Sequence, residues 1–237
     1  MPVIYPIEFP SNIGIANFSF GLRVAVARTE SPFSFVEQVV KYSGEILEIE
    51  VALPPLFRDD AEEFNAFLFK LRGRFGTFLI GDPNGVNPRG SWGGTPVIDG
   101  AGQTGDELHI TGLPPSVVNV GRTGDYIQLG TGANARLYKL LENASSNAAG
   151  EATLLLAPNL RTSPENGSEV IYQNAKGVFR LGENLQGFKI NDNSIYSLQF
   201  KATESLGIGP IVDFNYLVDP SGNVAVDPDG NYQVEPE

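Results

Sequence analysis

Cysteine is absent from this chain of 237 residues, and histidine, methionine and tryptophan occur once each. Without cysteine there is no disulfide, no thiol nucleophile and no cysteine-ligated zinc. The single histidine excludes a cluster of histidine ligands and leaves one possible base for a Ser-His-Asp triad. No apolar run is long enough to span a bilayer, and the first residues lack the pattern of a secretory signal peptide. We therefore expect neither thiol chemistry nor membrane insertion.

Basic residues are also few, because 16 lysines and arginines face 28 acidic residues and the formal net charge is −12. Such a field repels a phosphate backbone, so we expect no specific nucleic-acid binding. Residues 202–237 hold seven acids and no lysine or arginine. We interpret the acids of this stretch as solvated, and docking to a basic partner is the alternative.

Turn-forming residues are abundant, since 27 glycines and 17 prolines are spread along a chain that is 41% hydrophobic. This composition predicts a mainly β fold with many short strands. Two alternating stretches, residues 19–27 and 45–53, flank an aromatic and β-branched segment that ends in Ser43-Gly44. The simplest interpretation is a hairpin of two long strands, with a turn at Ser43-Gly44.

One helix is predicted at about residues 59–72. Asp59 or Asp60 can cap its N-terminus, and Glu62 completes a capping-box pattern with Asp59. Apolar side chains then follow at helical spacing, at Phe64, Phe67, Leu68 and Leu71. Gly73 can end the helix, and a strand at 75–80 follows. We expect this helix to brace an N-terminal β-sandwich or belt-like domain.

The second half of the chain has the rhythm of a small barrel or sandwich. Residues 84–96 are nearly all turn formers and indicate a domain junction. Short strands recur at regular intervals beyond them. The candidates are residues 107–111, 125–129, 135–141, 151–157, 169–172, 177–181, 187–190 and 195–202. The last one alternates, with Tyr196, Leu198, Phe200 and Ala202 on one face, and we expect it to return to the N-terminal sheet.

These patterns predict three parts. A discontinuous belt-like β domain covers residues 1–86 and 187–206, and a small β-barrel or sandwich domain is inserted at 95–186. An acidic C-terminal arm covers 207–237 and contains a repeat of eight residues, 219–226 followed by 227–234. Each repeat begins with Asp-Pro-x-Gly, which is typical of a type I turn.

Few residues suggest chemistry. Residues 100–105 match the dinucleotide pattern G-x-G-x-x-G, but a strand is predicted after them where phosphate binding needs a helix. His109 is predicted to face outward from the middle of a strand. The acidic repeat lacks the bidentate glutamate of a calcium loop, and no pair of acids is singled out for glycosidase chemistry. We nominate no catalytic, cofactor-binding or metal-binding residue, and we expect no cofactor and no enzymatic activity.

The order of several segments resembles tail-tip proteins of long-tailed bacteriophages. The segments are Phe9-Pro10, Gly44-Glu45, Leu53-Pro54-Pro55, the helix, and the run Phe-Gly-Thr-Phe-Leu-Ile-Gly-Asp-Pro at 75–83. Residues 124–130, 135–139 and 175–181 are similar to the same proteins, and the likeness covers most of residues 5–205. Within that group the chain looks most like a distal tail protein.

This resemblance implies a structural virion protein, made in the host cytoplasm, that forms a hexameric ring between the tail tube and the tip or baseplate complex. The implied partners are further copies of the chain, the tail tube, the tape measure protein and the tip hub, with contact to the host surface as an addition. A first alternative is a receptor- or glycan-binding module, in which Trp92, Tyr126, Tyr138 and Tyr172 stack on sugars. Exposure of these aromatics in one concave site would favour that alternative, and their burial would favour a structural role. An enzyme acting on polysaccharide ranks third.

Overall fold

The computed structural model describes residues 3–184, 187, 189–190 and 195–207, so the predicted acidic arm and its repeat lie almost wholly outside the described residues. The fold is mainly β, as predicted: of the described residues, 39% lie in strands, and they include one α-helix. That helix, α1, spans Arg58–Leu71. No helix in the described ranges is long and apolar enough to span a membrane.

The strands are numbered in chain order. They are β1 (Ile7–Glu8), β2 (Asn17–Glu30), β3 (Glu37–Ala52), β4 (Phe78–Ile80), β5 (Val97–Ile98), β6 (Glu107–Thr111), β7 (Tyr126–Leu129), β8 (Arg136–Leu140), β9 (Ala152–Ala157), β10 (Val170–Ile171), β11 (Gly177–Leu181), β12 (Lys189–Ile190), β13 (Tyr196–Ser197) and β14 (Gln199–Glu204). They form two six-stranded sheets and one two-stranded sheet, in which β12 pairs with β13.

The first sheet has the order β1-β4-β11-β14-β3-β2. The predicted return of the last strand is confirmed, because β14 pairs antiparallel with both β3 and β11. Its predicted alternation is confirmed as well: Tyr196, Leu198, Phe200 and Ala202 are buried, while Ser197, Gln199 and Lys201 are exposed. The assignment of residues 177–181 to the inserted barrel is wrong, since β11 lies in the middle of this first sheet.

A close backbone crossing explains why the chain returns to the first sheet as early as β11. Gly81, the residue after β4, lies directly against the segment that leads into β11. A Cβ at position 81 would lie 2.0 Å from the Ala175 carbonyl oxygen. Only a glycine lets the two backbones approach so closely. The chain therefore leaves and re-enters the first sheet at the same place, between neighbouring strands.

Helix α1 covers one face of the first sheet with the stripe that its spacing predicts. Phe64, Phe67, Leu68 and Leu71 are all buried, and Phe64 and Phe67 form a cluster of rings with Phe9, Phe78 and Phe200. The predicted capping box is wrong. Phe57 is the N-cap and makes no side-chain cap, so Asp59 and Asp60 lie inside the first turn, where their charges still suit the helix dipole.

The second sheet has the order β10-β7-β8-β9-β6-β5 and is nearly closed into a barrel. A bridge between Val97 and Glu169 joins its two ends, supported by backbone hydrogen bonds from Ile98 to Ser168 and from Val170 to Pro96. The barrel has a hydrophobic core of its own. Tyr126 of β7 and Leu137 of β8 belong instead to the core of the first sheet, together with Ala175 from the segment between β10 and β11.

Candidate interaction surface

The structure places the two sequence features that suggested chemistry, His109 and the glycine-rich segment at 100–105, on the barrel. His109 is exposed on the outside of the barrel, as predicted, and its Nδ1 lies 2.9 Å from Thr153 Oγ1. The glycine-rich segment at 100–105 is followed by β6 and not by a helix, which confirms the sequence interpretation. The amide of Gln103 closes that loop by donating to three carbonyl oxygens and accepting from the His109 N–H.

The four aromatics considered for sugar stacking do not form one exposed platform. Tyr126 and Tyr138 are buried, at 4% and 1% exposure. Trp92 and Tyr172 are half-buried and stack on each other, with centroids 5.2 Å apart. A cavity of about 390 Å³ lies near one end of the barrel, but of these four residues only Tyr138 lines it. The described residues therefore do not bring these four aromatics together in the exposed concave site that sugar stacking requires.

Asp125 organises the segment that connects the first sheet to the barrel. Its buried carboxylate accepts hydrogen bonds from the backbone N–H groups of Arg89 (2.7 Å), Gly90 (2.9 Å) and Arg122 (2.9 Å), and from the Trp92 indole (3.0 Å). Burial raises the pKa of Asp125, but these four donors outweigh it and hold that pKa below its ordinary value. The turn-rich residues 84–96 are therefore an ordered connection against the barrel.

The long hairpin is the part of the described chain that is least covered. β2 and β3 pair over almost their whole length, but β14 accompanies β3 only between Glu48 and Ala52. We call residues 21–44 the hairpin arm. Every residue of the hairpin arm is exposed except Val24 and Ser31, which are half-buried. An isolated two-stranded ribbon is at best marginally stable in water, so among the described residues this arm is the candidate interaction surface.

Apolar side chains are unusually frequent on the hairpin arm. Its exposed large apolar residues are Leu22, Val26, Phe33, Phe35, Val36, Val39, Val40 and Tyr42. The strand register places Val26, Arg28 and Glu30 on one face with their partners Lys41, Val39 and Glu37. Ala27 and Thr29 lie on the opposite face with Val40 and Gln38, and none of these four is charged. Between residues 27 and 40 the arm thus presents one uncharged face.

The turn of the hairpin lies at Ser31–Val36, and the turn predicted at Ser43-Gly44 is wrong. Ser43 and Gly44 lie inside β3, opposite an irregularity between Val24 and Val26. At the true turn, Ser31 donates its N–H to the Val36 carbonyl oxygen (3.0 Å), and Phe35 has a positive φ of 54°. This geometry displays Phe33 at 95% and Phe35 at 73% exposure.

Buried charges hold the base of the hairpin arm against the barrel. Glu45, at the foot of the arm, accepts from the Asn159 N–H (2.8 Å) and pairs with Lys41 (2.9 Å). Burial raises the pKa of Glu45, but the Asn159 hydrogen bond and the Lys41 ammonium bring it below its ordinary value. Beside it, Arg161 pairs with Glu204 at 2.6 Å, with both side chains at least nine-tenths buried.

No family model matches the chain, and no curated protein matches it either. The identification of the hairpin arm as a candidate interaction surface therefore depends on its geometry alone. Sequence reasoning found the hairpin but not its exposure, because alternation along a strand does not reveal whether a second sheet or a neighbouring strand covers it. The sequence does contain one signal of this exposure. Phe33 and Phe35 lie among the turn-forming residues Ser-Pro-x-Ser, and side chains in a turn have no core within their own chain to be buried in.

Proposed function

We propose that the chain is a non-enzymatic structural subunit that assembles with copies of itself into a ring in a phage tail tip. The observation that carries the assembly part is the hairpin arm, whose apolar residues have no cover within the described chain. The phage part, with a hexamer and with the tail tube, tape measure protein and tip hub as neighbours, rests on the resemblance of the sequence segments.

The distribution of charge along the chain agrees with this proposal. Two copies of a chain with a net charge of −12 repel each other on average, so contact between them is favoured where acids are sparse. The hairpin arm is such a place, because residues 21–44 hold three basic and two acidic side chains.

The experiment compares the full chain with a variant whose hairpin arm is shortened. Residues 27–40 are replaced by Asn-Gly, which joins the paired residues Val26 and Lys41 by a two-residue turn. Mass in solution is measured by light scattering after size exclusion at several concentrations, and particles are imaged by electron microscopy. We expect closed rings from the full chain and monomers from the shortened variant.

The outcomes separate assembly from folding. Because residues 27–40 contribute to neither hydrophobic core, the shortened variant should keep the thermal unfolding transition of the full chain. Rings formed equally well by the shortened variant would contradict the role of the arm. A full chain that stays monomeric at every concentration would contradict the proposed assembly of the free protein.

A further inference from the structure

Exposed aromatic side chains occur at two places in the described residues. The first is the hairpin arm, with Phe33, Phe35 and Tyr42. The second is helix α1 and its flanks, with Phe57, Phe69 and Phe75. Interfaces concentrate their binding energy in buried aromatic anchors, so two separate exposed aromatic groups on one chain are candidates for the two halves of a contact.

The charges next to the tip of the hairpin arm leave an excess of negative charge. Glu30 and Glu37 face each other at the ends of β2 and β3, directly below Phe33 and Phe35. Both carboxylates contact the same guanidinium, that of Arg28. Two negative charges therefore share one positive charge, and the aromatic tip has an acidic collar.

The charges at the C-terminal end of α1 have the opposite sign. Lys70, Arg72 and Arg74 are exposed around Phe69 and Phe75 in the sequence. Arg180 approaches the same segment and donates to the carbonyl oxygens of Arg74 and Phe75. Glu183 adds one acid to this region, so basic residues remain in excess. In the N-terminal half of the helix, by contrast, four acids accompany Arg58: Asp59, Asp60, Glu62 and Glu63.

We propose that the tip of the hairpin arm docks on the C-terminal end of α1 in a second copy of this chain. The inference rests on the proposed function and names the contact that builds the ring. Phe33 and Phe35 pack against Phe69 and Phe75, and the collar of Glu30 and Glu37 lies against the excess of basic residues. Opposite charges fix the register of such a contact, while the aromatic rings supply most of its affinity.

A head-to-tail contact between different surfaces suits a ring. When one patch meets a different patch on the next copy, repetition produces either a closed ring or a filament. A symmetric contact between two arm tips would bring four carboxylates together around two guanidinium groups, which like-charge repulsion disfavours. Docking within one chain is inconsistent with the structure, because Phe33 is 95% exposed.

Cysteine cross-linking tests the contact, because the native chain contains no cysteine. Full-length Phe33→Cys and Phe69→Cys are each purified, mixed under reducing conditions and then oxidised. We expect a disulfide-linked dimer from the mixture and at most traces from either variant alone. Phe57→Cys mixed with Phe33→Cys is the matched control, since Phe57 is exposed at the acidic end of the same helix, and it should not cross-link.

A charge exchange supplies a second, independent measurement. Glu37→Lys and Lys70→Glu should each weaken assembly, by about five-fold in dissociation constant, and the double variant should recover most of that loss. If the wild type assembles but Phe33→Cys cross-links only with itself, or the double variant is weaker than either single one, this contact is wrong while ring assembly stands. A wild type that never assembles would overturn both proposals.

Discussion

Replacing Arg161 by Met should destabilise the chain strongly although it removes no hydrophobic contact of the core. The Arg161 and Glu204 side chains are 8% and 1% exposed and are joined by one short contact of 2.6 Å. Without the guanidinium, Glu204 becomes a buried carboxylate with no cation beside it. Its Oε2 keeps the hydrogen bond from the Leu47 N–H at 3.2 Å, which compensates only in part.

The size of the effect follows from this geometry. Removing one partner of a buried ion pair costs about 3–5 kcal/mol, and the surviving Leu47 donor places the expected loss near the lower limit, about 3 kcal/mol. The pair is also incompletely bonded, because Arg161 Nε and Glu204 Oε1 have no hydrogen-bond partner among the described residues. The double variant Arg161→Met with Glu204→Gln should therefore be far more stable than the sum of the single changes, and about as stable as the wild type.

Thermal and urea unfolding of the full chain measure these differences. A loss of about 3 kcal/mol lowers Tm by about 6–12 °C for a protein of this size. Arg23→Met is the control, since its contact with Glu48 at 3.2 Å is exposed on both sides and should be worth at most about 1 kcal/mol. Equal losses in Arg161→Met and Arg23→Met, or additive losses in the double variant, would refute the reasoning.

Two further predictions concern the connection between the sheets. Asp125→Asn should destabilise the chain at neutral pH. Because the pKa of Asp125 is lowered in the folded state, the stability that its carboxylate contributes is present above about pH 4 and is lost as the pH falls through the folded pKa. The unfolding free energies of wild type and variant should therefore converge in acid, and a difference that stays constant with pH would contradict this. Gly81→Ala should lower the free energy of unfolding in urea by about 1–3 kcal/mol, because the new methyl group collides with the Ala175 carbonyl. Gly132→Ala is the control: its methyl group meets no atom within 4 Å, so its loss of stability is limited to the backbone strain of a positive φ.

Much of the fold could be predicted from local patterns. The helical stripe from Phe64 to Leu71 and the alternation of 195–202 are signals in which spacing alone decides which face is buried. The capping box failed because α1 begins at Arg58, one residue before Asp59, so Phe57 occupies the N-cap position and Asp59 and Asp60 lie in the first turn. The place of β11 could not be predicted, since its apolar composition suits a strand in either sheet.

The interaction surface was harder to predict than the fold. Its residues are ordinary for a strand. Their exposure depends on β14 ending its pairing with β3 at Glu48 and on no other described strand covering the arm beyond that point, which no local pattern encodes. The aromatics considered for sugar binding show the opposite case, in which residues that suggested a surface by their type are buried. Tyr126 and Tyr138 were candidates by type, yet Tyr126 packs on Phe20 at 5.5 Å and joins the core of the first sheet.

The buried charges and the exposed arm belong to one arrangement. Glu45 and Glu204 lie where β3 leaves the cover of β14, and both receive donors from the loop after β9, from Asn159 and Arg161. Burying a hydrophobic contact at this place would cost less free energy than burying these charges, but it would not fix the orientation of the hairpin arm. Hydrogen bonds to carboxylates are directional, so they orient the arm before any partner arrives. In the proposed assembly, an arm that is already oriented would lose less conformational entropy on binding, which would increase the affinity of the contact between copies.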